Sequence, residues 1–171
     1  AKNMVLDEVN YKGKTLSYIR KEDAVFVIFP AVAAGTQFQF RVTYHGKPAE
    51  AKKPPWDGGF VWEKDKAGRD FVGVACEGDG ASLWWPCKDH PTEEPDSMAI
   101  NITVPSNIMC VANGRLREKV ETDVKTSYKW FVTKPINNYN VSVNIANYAV
   151  ILNYLLFLAA FFFVATFFLA A

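Results

Sequence analysis

Histidine is nearly absent from this sequence: His45 and His90 are the only two in 171 residues. Hydrolytic zinc chemistry takes about three protein ligands and an open coordination position. No His-Glu-x-x-His occurs to supply them, and each isolated histidine reads as a surface loop residue. Gly-x-Ser-x-Gly is also missing. Gly80-Ala81-Ser82 has no histidine at nucleophile–base spacing, which argues against a serine hydrolase. No glycine-rich loop runs into a helix, so nothing cradles a phosphate. The chain therefore carries no complete catalytic set and no metal site.

Cysteine is sparse as well. Cys76, Cys87 and Cys110 cannot all pair, and none falls in a Cys-x-x-Cys or Cys/His zinc spacing. They read as free, mostly buried thiols, with a Cys76–Cys87 disulfide left open for an oxidising compartment. Charge of one sign is lacking too. The net charge is +1 and the lysines and arginines are interspersed with acids, so no basic face exists to track nucleic acid. The first residues show no basic-then-apolar leader pattern. Two Asn-x-Ser/Thr triplets, at Asn101 and Asn140, fall inside expected strands and carry no information.

What the chain has is apolar and aromatic material, 50% and 15% of residues, enough for a sizeable core. Short extended runs separated by turn formers fill the first part: 5–11, 15–20, 24–29 and 37–44, with turns at Lys12-Gly13-Lys14, at 21–23 and at Gly35. Period-two alternation marks strands with one buried face. Residues 45–98 hold most of the Pro, Gly and Trp and read as a long ordered loop region, the kind of stretch through which a domain touches something else. Strands resume at 98–104, 109–113, 127–133 and 141–150, with Asn113-Gly114 as a turn. No helical periodicity is sustained before residue 152. The expected architecture is all-β, a β-sandwich or saddle-like sheet pair spanning 1–151.

Residues 152–171 are atypical, an apolar tail without a charged side chain. Its length matches a membrane-spanning helix, yet no Lys or Arg flanks it. Three readings stand: residues not native to this protein, a membrane span, or a buried helix or strands. A membrane partner follows only from the second.

The loop region carries a resemblance. Pro-Trp-Asp-Gly-Gly-Phe-Val-Trp at 55–62, Cys-Glu-Gly at 76–78, Trp-Trp-Pro-Cys-Lys-Asp-His-Pro at 84–91 and Glu-Pro-Asp-Ser at 94–97 resemble the N-terminal domain of zinc aminopeptidases of the aminopeptidase N / leukotriene hydrolase family, bacterial branch. The resemblance extends more loosely over 4–150. It implies a β-sandwich that caps a separate catalytic domain of the same polypeptide. The zinc ligands and the exopeptidase motif would lie in that second domain, absent from this chain, which would be inactive alone and incomplete at its start. The resemblance assigns one active-site residue to the domain in hand, Glu77. Its carboxylate, with Gly78 following, would bind the α-ammonium of a peptide N-terminus through charge-assisted hydrogen bonds. It also implies backbone strain at Glu77–Gly78. Pro86, Asp89 and Pro91 would be structural residues of the loop, Asp89 by bonding backbone amides. The competing function is a non-enzymatic β-sandwich binding module, anchored through 152–171. Similar bacterial enzymes suggest an extracytoplasmic location, against the reducing setting that unpaired cysteines suggest.

Overall fold

The computed structural model describes residues 4–54, 57–76 and 78–150. Twelve strands and two single 3-10 turns make up the regular structure among them. Alternating side chains in β1 (Met4–Tyr11) send Val9 and Tyr11 inward, and the strand pairs antiparallel with β5 (Arg41–Gly46) and with the short β2 (Lys14–Thr15). Lys12 and Gly13 turn between β1 and β2 with φ of 51° and 78°. A bulge at Asp7 interrupts the β1–β5 register, which accentuates local twist. Next come β3 (Tyr18–Lys21) and β4 (Ala24–Val27), a two-stranded ribbon of mostly exposed residues.

The remaining strands build two facing layers. One sheet has the order β10-β11-β8, from β8 (Met98–Pro105), β10 (Arg115–Glu121) and β11 (Lys125–Val132). The other has the order β6-β7-β12-β9, from β6 (Gly59–Lys64), β7 (Asp70–Ala75), β9 (Met109–Ala112) and β12 (Val143–Ala146). Val104 and Tyr128 from the first layer meet Cys110 and Val143 from the second, with Trp84, Ile102 and Trp130 packed around them. This shared core is what makes the arrangement a sandwich.

Several expectations change in detail. The stretch 45–98 is not all loop, because β6 and β7 form a regular hairpin within it. Its turn is shaped by Asp65, whose carboxylate accepts the Ala67 and Arg69 amides at 2.8 and 2.9 Å. The expected strand 37–44 begins its ladder only at Arg41. Phe38 and Phe40 keep the alternation but spend it on a ring cluster with Phe29 and Tyr11, centroids 4.7–6.4 Å apart. β10 is an additional strand, and the Asn113-Gly114 turn joins β9 to β10 across the two sheets rather than within a hairpin. Gly114 is required there: at φ 89° its position places a Cβ 2.2 Å from the Phe131 carbonyl oxygen. His45 lies on a strand, not a loop, with Nδ1 2.8 Å from Asp7. Asn140 sits in a 3-10 turn (Asn138–Asn140) rather than in a strand. The tail readings for 152–171 lie outside the described residues, among which no helix is long and apolar enough to cross a membrane.

Candidate functional site

The loop 76–95 leaves the end of β7 and returns to β8, and it is held by hydrogen bonds from two other places, Gly58 and the segment 136–139. At its start the Cys76 thiol donates to the Tyr139 carbonyl at 3.3 Å, and the Gly80 amide closes back on the Cys76 carbonyl at 2.8 Å. Asp79 reaches across to accept the Gly58 amide. Gly58 has to be glycine for this, since a Cβ there would stand 2.7 Å from the Asp79 Cβ. Further along, the Asn138 side-chain amide donates to the Lys88 carbonyl and that of Asn137 to the Pro91 carbonyl, each at 3.0 Å.

Glu77, Pro55 and Trp56 lie outside the described residues. Gly78 adopts φ 92° with open space where a Cβ would be. Asp89 accepts the Ser82 amide at 3.0 Å and the Cys87 thiol at 3.6 Å. Its carboxylate lies so close to Gly80 that a Cβ on that residue would meet it at 2.4 Å. Pro86 lines a cleft of about 890 Å³ between this loop and the strands β1, β4 and β5, walled also by Leu6, Val27, Phe40, Tyr44 and Trp85. Lys88 pairs with Glu93, whose carboxyl is thereby held below its ordinary range. Trp84 instead packs inward, edge-on to Phe60 at 5.8 Å.

All three cysteines are free thiols. Burial pushes Cys87 up to about 12, with the Asp89 charge adding to it. Burial alone pushes Cys110 up to about 11. Both are neutral at physiological pH and poor nucleophiles.

Sequence reasoning did not single out the turn at 137–140. A signal existed, since Pro135-Ile136-Asn137-Asn138, a proline with two asparagines close behind it, is a turn signature. Its role is visible only in space, because it works on residues roughly fifty positions away. No cluster of three His, Cys, Asp or Glu side chains able to hold a metal exists among the described residues, and His45 and His90 are engaged separately with Asp7 and Thr92. These residues do not fit a zinc ion.

The fold and the site together define a class: an all-β sandwich domain with one long, multiply tethered loop beside an apolar cleft. No family model matches the sequence, and no curated protein matches it. Solved structures do. An M1 zinc metallopeptidase from Deinococcus radiodurans superposes with a TM-score of 0.68 at 18% identity, over 84% of this chain and 32% of that one. A two-domain M1 zinc metallopeptidase mutant bound to L-arginine matches with a TM-score of 0.70 at 20% identity, over 84% and 32%. A mutant of the Deinococcus radiodurans enzyme bound to a Tyr-Ser-Ala substrate matches at 0.69 and 19%, with the same coverage. The likeness is one of fold. This chain spans about a third of the length of the structures it matches.

Proposed function

We propose that this chain is the N-terminal, substrate-end-recognising domain of a zinc-dependent aminopeptidase. On this reading it works with a catalytic domain of the same polypeptide that carries the zinc, and alone it turns over no peptide. The observation carrying the proposal is the fold likeness to one third of the M1 zinc metallopeptidases, joined to the residues of the loop at 76–97. An aminopeptidase has to recognise a free α-ammonium and set its distance from the scissile bond. A fixed carboxylate does both, through charge-assisted hydrogen bonding and orientation. Glu77 takes that role, with Gly78 leaving room beside it. Pro86, Asp89 and Pro91 shape the loop.

The test is Glu77→Ala in the full-length polypeptide containing this domain, assayed on an amino-acid anilide. The expected result is a fall in kcat/KM of roughly 10–100-fold, as for loss of one charge-assisted contact worth about 1.5–3 kcal/mol. Unchanged kinetics remove Glu77 from the site. A full-length polypeptide with no aminopeptidase activity, with or without zinc, removes the function.

A further inference from the structure

Hydrogen bonds from every residue of the segment 136–139 converge on the recognition loop. Tyr139 takes the Cys76 thiol at 3.3 Å. Asn138 donates to the Lys88 carbonyl and Asn137 to the Pro91 carbonyl, both at 3.0 Å. The Ile136 amide donates to the Pro95 carbonyl at 3.3 Å. This segment thus grips the loop at both ends, which are distant along the sequence. It is itself braced from beneath. Val141 is fully buried, and Asn113 holds the turn by donating to the Asn140 carbonyl at 3.0 Å and accepting the Ser142 amide at 2.7 Å. Asn138 is 7% exposed, an asparagine buried so as to offer its amide to one backbone carbonyl of the loop.

We infer that Asn137 and Asn138 are positioning residues for substrate-end recognition, acting through the loop that carries the recognition carboxylate. This rests on the reading of Glu77 proposed above. Cys76 and Asp79, the described residues on either side of the 77–78 step, are each fixed by a different element: Cys76 by Tyr139 and Asp79 by Gly58. The far limb of the loop is held by the two asparagines and, next to β8, by the Ile136 amide. Losing the side-chain bonds to Lys88 and Pro91 leaves the far limb tethered only nearer β8, by the Ile136 amide on the Pro95 carbonyl, and the longer free span samples more placements at little cost. Recognition of a single ammonium group tolerates little displacement.

The experiment uses the full-length polypeptide and two competitive inhibitors, L-leucine hydroxamate and its des-amino counterpart 4-methylpentanoyl hydroxamate. Their ratio of inhibition constants reports the ammonium contact and cancels what the two share. Asn138→Asp keeps the shape but removes the donor, and Asn137→Ala is the milder variant that decides if the first fails to fold. Each is expected to lower the ratio at least fivefold, toward the value for Glu77→Gln. Val104→Ala, destabilised in the sandwich core, is expected to keep it. If Glu77→Gln lowers the ratio while both asparagine variants keep it, the positioning role is wrong and the recognition reading stands. If Glu77→Gln keeps it, both are wrong.

Discussion

Gly80→Ala tests the loop's packing most directly. Gly80 sits at φ 92°, ψ 156°, a region open essentially to glycine alone, so any side chain there costs about 1–3 kcal/mol. The added Cβ would also stand 2.4 Å from the Asp89 Cγ. The carboxylate must move, and its bond from the Ser82 amide at 3.0 Å is lost. Because Asp89 is exposed, that loss takes the lower end of the range, about 1 kcal/mol. The sum is about 2–4 kcal/mol, or a fall in Tm of roughly 4–16 °C for a chain of this size. Urea unfolding of Gly80→Ala, Asp89→Ala and the double variant separates the two parts. With the carboxylate gone, the methyl group has less to displace, so the Gly80→Ala cost is expected to shrink by about 1 kcal/mol in the Asp89→Ala background. Gly78→Ala, at the same φ but facing open space, is expected to show only the backbone part. Strict additivity of Gly80→Ala and Asp89→Ala would refute the close packing of the carboxylate on Gly80.

Two other outcomes follow from contacts described above. Asn113→Ala removes a donor to Asn140 and an acceptor for Ser142. It is expected to cost about 2 kcal/mol and to speed hydrogen exchange at the Ser142 amide, and an unchanged exchange rate would show that Asn113 does not hold the turn. The thiols give a pH dependence. Cys87 and Cys110 are raised from 9.0 to about 12 and about 11, so above pH 9 the unfolded chain releases protons that the folded chain keeps. Their contribution to stability is therefore full below pH 9 and is lost progressively as pH rises toward 12. Urea titrations at pH 8 and pH 10 check the sign: a Cys87→Ser/Cys110→Ser variant is expected to lose less stability between those values than the parent chain.

The class of fold was legible in the alternating segments because a half-buried strand imposes period two on its side chains, as in β1 and β8. Where that coupling fails, the reading failed with it. All seven residues of β10 are exposed, and Arg-Leu-Arg-Glu-Lys-Val-Glu carries no core-facing stripe. The strand is held by its ladder with β11 and by cations over rings, Arg117 on Phe131 and Lys119 on Tyr128. The β6–β7 hairpin was obscured by its own punctuation. Gly58, Gly59 and Gly68 read as breakers, yet Gly58 makes room for the Asp79 and Leu83 side chains and Gly59 for the backbone of 49–51 at the strand's start. The loop stood out in sequence through the resemblance carried by its motifs at 55–62, 76–78, 84–91 and 94–97. The asparagines that grip it did not, since they act on backbone carbonyls, which leave no trace in side-chain identity.

The sheet order β6-β7-β12-β9 has a consequence for synthesis. β12 is a central strand, yet it is the last of the described strands to leave the ribosome. Some seventy residues separate the end of β7 from the end of β12. At roughly 5–20 residues per second, the facing edges of β7 and β9 wait several seconds for the strand that joins them. During that interval the shared core lacks Val143. The four residues Val143–Ala146 act as a late latch, and any slowing of translation between Asn113 and Val143 extends the time in which those open edges can pair with another chain.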